Sequence, residues 1–156
     1  MRDTVRSVIA ATMRGPLRHV LRPAITAADR VLTRVSRSRL QLSAALVPSL
    51  TLVTTGAKTG ERRLAPLMCF PRGEAGWFVA GSNFGSARHP AWSANLIAHP
   101  EAEVHYRGTV TAVRARLLGP DEAEQTWPVL ERQWPGYRDY EKTARRDIRI
   151  FALEPR

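Results

Sequence analysis

Two short stretches of this chain carry the residue types that grip and polarise ligands. In the first, Thr54, Thr55, Gly56, Lys58, Thr59, Gly60, Arg62 and Arg63 bring hydroxyls, backbone donors and three cations together within ten residues. A glycine-bent turn presents adjacent N–H groups, and flanking cations neutralise an anion seated there. The spacing is not that of a Walker A loop, and no strand–GxGxxG–helix unit is present for a dinucleotide. Taken alone, the turn is either a phosphate clamp or a solvated hairpin tip. The second stretch, from Ser82 to Pro100, joins a small polar loop to a short helix. Gly81, Ser82 and Gly85 leave backbone bare for a flat ring to lie against. Pro90 suits the first helical position, where its missing N–H would go unpaired anyway. Trp92, Asn95 and Leu96 then fall at helical spacing, and Pro100 stops the helix. Bare backbone, an indole and a side-chain amide suit a planar heteroaromatic cofactor. Singly, Trp92 also reads as a core anchor and Asn95 as a cap or turn partner. Together, the clamp and the shelf fit a phosphorylated heteroaromatic ligand.

A third stretch, Trp134-Pro135-Gly136-Tyr137-Arg138-Asp139-Tyr140, places three aromatics on a loop after a helix. Tyrosine phenols offer stacking surface and a donor for a polar substrate; the same residues would serve as a hydrophobic plug at one end of a barrel. Nucleophilic catalysis finds no support, because His89 has no evident acidic orienter and no serine is paired with a base. The single cysteine, Cys69, sits between Met68 and Phe70 and reads as buried filler rather than nucleophile. The four histidines show no metal-ligand spacing, so no metal is expected. What remains is chemistry carried by a cofactor that protein groups orient and polarise.

The elements that must position these residues follow from patterning. A chain of 156 residues is expected to bury one sizeable core. From Pro48 onward it is β-rich: strands over 50–54, 62–70 and 77–81, a hairpin of 101–107 and 109–118 about Gly108, and a last strand over 148–153. Pro120-Asp121-Glu122 opens a helix to about Trp134, its acids placed where the helix dipole favours them. Five or six short strands with two short helices make a small barrel, α+β and mainly β. Residues 1–46 differ, being rich in arginine and alanine, and read as two basic helices broken near Pro16 and Pro23. Nine arginines against Asp3 and Asp29 in the first forty residues supply most of the net charge of +10. That segment either lies on anionic lipid or over a pocket mouth, or packs on the core with a solvated arginine face. No run is apolar enough for a signal peptide or a membrane span, so the expected location is the cytoplasm, with a peripheral contact at the inner face of the cell membrane. Charge alone gives nucleic-acid binding little support, since no aromatics interleave with the arginines.

Four motifs in order resemble the deazaflavin-dependent nitroreductase family. T-T-G-A-K-T-G-E-R-R (54–63) is similar to its T-T-G-x-K-[ST]-G-x-x-R turn, and A-G-S-N-F-G (80–85) to its small-residue loop. H-P-A-W-S-A-N-L-I-A-H-P (89–100) resembles the family helix, and P-G-Y-R-D-Y (135–140) its tyrosine loop. The resemblance implies a split β-barrel (an FMN-binding-like roll) over 47–156 with a basic helical N-terminal extension. It implies coenzyme F420 as cofactor, with FMN as the alternative. The activity implied is hydride transfer from the reduced deazaflavin to a quinone, nitroaromatic or conjugated carbonyl; a non-catalytic deazaflavin or flavin carrier is the alternative reading. Carried over by motif, Lys58 and Arg63 grip the phosphate and acidic tail, and Pro66 and Met68 border the ring. Ala80, Ser82 and Asn83 line the deazaisoalloxazine, with Ala91, Trp92 and Asn95 on the helix side. Tyr137 and Tyr140 face the substrate beside Ser82. Two departures stand out: Trp134 replaces a tyrosine and Asn83 a lysine of some relatives. Partners implied are a small-molecule electron acceptor and a second copy in a homodimer, without nucleic acid.

Overall fold

The computed structural model describes residues 47–156, and the two helices expected within 1–46 lie outside the described residues. Seven strands are described: β1 (Ser49–Thr55), β2 (Arg62–Met68), β3 (Phe70–Pro71), β4 (Trp77–Ala80), β5 (Glu101–Tyr106), β6 (Thr109–Leu117) and β7 (Ile150–Pro155). They form one sheet in the order β2-β1-β5-β6-β7-β4-β3, with every neighbouring pair antiparallel. The sheet curls until β2 approaches β4, which closes a half-barrel. Three α-helices accompany it: α1 (Ala91–Ala98), α2 (Pro120–Gln133) and α3 (Asp139–Ala144).

Strand alternation divides the buried side chains into two cores. Leu50, Leu52, Val79, Val104, Val113 and Leu153 point into the barrel, where Trp92 and Leu96 of α1 plug them. On the other face, Phe78, Ile150 and Ala152 of β4 and β7 are covered by Trp127, Leu130 and the aromatic segment 134–140. The β5–β6 turn is made by Arg107 (φ 50°) and Gly108 (φ 85°), two left-handed residues as a tight hairpin connection requires.

Several expected boundaries shift. The strand expected over 62–70 breaks at Cys69, whose N–H leaves the ladder for the Pro48 carbonyl at 2.9 Å. Before the break Met68 pairs with Ser49, and after it Phe70 pairs with Phe78, so the chain changes partners there. Pro90 is the residue before the helix, extended at φ −66° and ψ 145°, and Ala91 takes the first helical position instead. The stretch after Pro135-Gly136 is not all loop: α3 forms within it, stopped by left-handed Arg145. Ile148 precedes the last strand, its N–H held by the Glu141 carboxylate at 3.0 Å.

Candidate functional site

The β1–β2 turn is built to hold its shape. Gly56 N–H donates to Glu61 O and Gly60 N–H to Gly56 O, both at 2.8 Å, while Gly60 (φ +68°) takes the left-handed bend. A tether from α1 completes it. Asn95 accepts from Ala57 N–H at 2.9 Å and donates to Thr54 Oγ1 at 3.0 Å. The buried Asn95 amide thus fastens the turn, which is the turn-partner role among its sequence readings. The three cations then separate. Arg62 makes a bidentate pair with Glu103 of β5, both bonds 2.9 Å, on the sheet face opposite Asn95. Arg63 stands across from Thr54, on the Asn95 side, and among the described residues its ion-pair partner is its exposed neighbour Glu61. Lys58 is exposed at the tip and has no ion-pair partner among the described residues.

Ahead of α1 lies the loop 81–89. Asn83 (φ 47°), Phe84 (φ 54°) and Gly85 (φ 74°) are three left-handed residues in succession, unusual for a bulky phenylalanine. Asn83 does not extend freely toward a ligand: its amide donates to Arg88 O at 2.9 Å. A side chain at Gly85 would meet Thr143 Cβ at 3.1 Å and the Tyr140 ring at 3.2 Å, and one at Gly81 would meet Pro90 at 3.3 Å. Small residues are needed at Gly81 and Gly85 because the protein's own elements approach them closely. Ser82 remains half-exposed at the head of the loop.

The aromatics resolve into two roles. Tyr137 is buried, edge-on to Tyr140 at 5.6 Å and tilted against Phe70 at 5.7 Å, and its single phenolic proton is shared between Ser82 Oγ at 3.2 Å and Ala80 O at 3.4 Å. Burial pushes the phenol well above its usual range, so it stays a donor. Tyr140 and Trp134 are buried in the same core, which is the hydrophobic plug among the two sequence readings. Met68 and Ala80 pack half-exposed against that core, Ala80 through its carbonyl beside the Tyr137 phenol. Pro66 shares the Met68 face of β2, away from Arg63. Trp92 is 8% exposed and edge-on to Phe151 at 5.7 Å inside the barrel, so most of its indole anchors the core. Ala91 is exposed at the start of α1. Cys69 is buried and its thiol pushed up to about 12 by desolvation, as filler would be.

One participant carried no sequence signal. Arg146, one of 22 arginines, donates to the carbonyls of Gly81 (3.0 Å), Ser82 (3.3 Å), Ser86 (3.1 Å) and Arg88 (3.2 Å), and meets His89 Nδ1 at 3.1 Å. Only the folded chain brings these groups together. Among the described residues no group of three or more His, Cys, Asp or Glu could hold a metal ion. A hollow of about 440 Å³ lined by Leu96, Ile97, Leu117 and Phe151 contains none of the expected site residues.

A curled antiparallel half-barrel with a strained loop before one short helix and a basic turn tethered to the middle of that helix defines a split-barrel cofactor-binding protein. The F420H(2)-dependent quinone reductase family model matches residues 28–155, and the chain belongs to that family of oxidoreductases, whose cofactor is coenzyme F420. It is 35% identical over 112 residues to the F420H(2)-dependent quinone reductase of Mycobacterium tuberculosis, covering 70% of this chain and 74% of the relative. A putative F420H(2)-dependent quinone reductase of Mycobacterium bovis matches to the same extent, 35% over 112 residues. Among solved structures, an F420-H2 dependent reductase (FDR-A) superposes with a TM-score of 0.60 at 33% identity, covering 69% of this chain and 94% of that one. A second solved structure, a domain-swapped dimer, gives 0.62 at 29% identity, covering 80% of this chain and 95% of that one. A heme binding protein from Mycobacterium smegmatis, at 14% identity and TM-score 0.52, shares the fold alone.

The donor set fits the deazaflavin coenzyme. Its anionic tail needs cations not consumed internally, and of the three in the β1–β2 turn Lys58 and Arg63 would suit it, since an exposed pair such as Arg63–Glu61 is worth little and exchanges readily. Its ring needs a polar edge beside an apolar surface, which Ser82, Ala80 and Met68 offer.

Proposed function

We propose that F420H2 lies along the first turns of α1, its tail at the β1–β2 turn and its ring at the head of the 81–89 loop. In this reading Lys58 and Arg63 hold the phosphate and acidic tail, and Asn95 keeps their turn in place. Met68, Pro66 and Ala80 border the ring, and Ser82 and Asn83 present polar atoms at its edge. When bound, the reduced cofactor supplies a hydride; everything else is positioning and proton handling by the chain. Tyr137 remains protonated and engages the Ser82 oxygen, which leaves the Ser82 hydroxyl proton to point outward. That O–H is placed to donate to a carbonyl oxygen of the acceptor as negative charge develops there. Neither hydroxyl is an acid near neutral pH, so the proton that completes the hydroquinone is drawn from water.

The Tyr137–Ser82 pair at 3.2 Å is the observation that carries this assignment. A quinone is favoured over a nitroaromatic or conjugated carbonyl because the family's acceptor is a quinone. A lipid-soluble quinone also suits a basic segment 1–46 resting on the inner face of the membrane; among the described residues no helix is long and apolar enough to cross one. We further propose a homodimer, supported by the exposed Ile97 (51%) and Leu117 (44%) around the 440 Å³ hollow and by the relative solved as a domain-swapped dimer. The test is oxidation of F420H2 by menadione and by a nitroaromatic, with wild type and Ser82→Ala. The expected result is preference for the quinone and a fall in kcat of about tenfold or more in the variant; equal kcat in the variant would remove Ser82 from the reaction.

A further inference from the structure

We propose that Arg146 is a positioning residue for hydride transfer: its guanidinium gathers four carbonyls of the 81–89 loop and holds Ser82 and Asn83 in the strained shape that receives the cofactor ring. The proposal rests on the reading above that this loop lines the ring. Its own ground is geometric. Nε donates to Ser86 O, Nη2 to Gly81 O, Ser82 O and Arg88 O, and Nη1 contacts His89 Nδ1 and Asp147 O at 3.1 Å each. A half-buried guanidinium normally seeks a carboxylate, and none is bonded to Arg146 among the described residues. Its donors are used instead on loop backbone. The fork is suited to this, because five N–H groups in one plane can serve several acceptors that a lysine ammonium could not span.

The loop needs such a fastening. Left-handed Asn83 and Phe84 are strained backbone of a kind that persists only where surroundings over-determine it. Two restraints do so. From outside, Thr143 and Tyr140 press on Gly85; from beneath, Arg146 ties both ends of the loop, Gly81 and Ser82 at its start, Ser86 and Arg88 at its close. Asn83 reinforces the same point by donating to Arg88 O. Ser82, the residue that contacts Tyr137, is therefore fixed through its own carbonyl by Arg146. A group placed before the cofactor arrives reduces the ordering cost of binding and the misalignment in the reaction.

The experiment uses the full-length chain with Arg146→Lys and Arg146→Met, Lys serving if Met fails to fold. Hydrogen exchange of the cofactor-free protein follows peptides over 81–89 against the 101–117 hairpin. F420 affinity comes from fluorescence titration, kcat and KM from oxidation of F420H2 by menadione. Faster exchange confined to the loop is expected, with an F420 Kd raised about tenfold in Lys and more in Met. The kcat should fall about 10–100-fold while the menadione KM moves less, and low-millimolar guanidinium should partly restore Arg146→Met. Unchanged loop exchange, or loosened exchange with unchanged Kd and kcat, would overturn the proposal. So would losses matched by equal acceleration in the hairpin, since that is a global loss of stability. Wild-type protein that fails to bind F420 would instead bring down the cofactor reading, leaving the exchange result to judge the clamp.

Discussion

Replacing Asn95 by alanine should loosen the turn that holds the cofactor tail, and its size can be worked from the two bonds it removes. Thr54 is 2% exposed, so losing the Asn95 donor leaves Thr54 Oγ1 with only a long 3.5 Å contact to Arg63 O. A buried group left so costs about 1–3 kcal/mol. Ala57 is exposed, and water replaces Asn95 at its N–H, so that bond contributes about 0.5–1.5 kcal/mol. The expected loss is about 2–4 kcal/mol, a fall in Tm of about 6–12 °C for a chain of this size. Thr54→Val removes one of the two bonds. A double-mutant cycle with Asn95→Ala should give a coupling of about 1 kcal/mol or more between the two sites. F420 affinity should fall alongside, about tenfold, because Lys58 and Arg63 are no longer held on one side of the turn. Urea denaturation and fluorescence titration of the four proteins of the cycle are the assays. A loss of stability below about 0.5 kcal/mol, the range of an ordinary surface change, or an undiminished F420 affinity, would refute the tether.

The remaining predictions follow the same geometry. Lys58→Ala and Arg63→Ala should each weaken F420 binding about tenfold, whereas Arg62→Ala, whose partner is Glu103, should leave it nearly unchanged; equal losses in all three would mean a diffuse basic surface instead of a clamp. Tyr137→Phe should lower kcat, and because burial raises the phenol's pKa, the wild-type rate should show no basic limb near pH 10 from this residue. A basic limb lost in the phenylalanine variant would contradict that. His89 is held below its usual 6.5, first by desolvation and then by the Arg146 and Arg149 charges, with Asp147 opposing. The unfolded chain therefore binds a proton more readily than the folded one below pH 6.5. Its contribution is intact above that pH and lost as pH falls toward the folded value, so His89→Gln should flatten the pH dependence of stability below 6.5, measured by denaturant melts; a steeper acid loss in the variant would reverse the assignment.

What the sequence disclosed and what it hid divide along physical lines. β1 and the β5–β6 hairpin were legible because apolar alternation and Gly108 act locally. The β1–β2 turn was legible too, since its glycines act within one turn and need no tertiary partner to be read. The break at Cys69 was not, because it arises where the strand leaves Ser49 for Phe78, a choice made by barrel closure. α3 escaped because a six-residue helix carries too little periodicity, and Pro135-Gly136 ahead of it reads as loop. The packing role of Gly85 was hidden for a related reason: its lack of a side chain makes room for Thr143 and Tyr140, which lie more than fifty residues on in the sequence. Asn95 and Trp92 sat within a recognisable motif, but which faces the barrel, which faces the turn and which faces a ligand is decided by the rotation of α1 against β1. Arg146 was invisible among so many arginines, since backbone carbonyls, its partners, leave no mark in a sequence.

The most direct test of the central claim is fluorescence titration of the purified protein with oxidised F420, with FMN as competitor, in wild type and in the Lys58→Ala/Arg63→Ala double variant. Saturable F420 binding that FMN displaces poorly, and that the double variant weakens about a hundredfold, is the predicted result. Binding that FMN displaces readily, or that survives the loss of both cations, would contradict the placement of the deazaflavin tail at the β1–β2 turn.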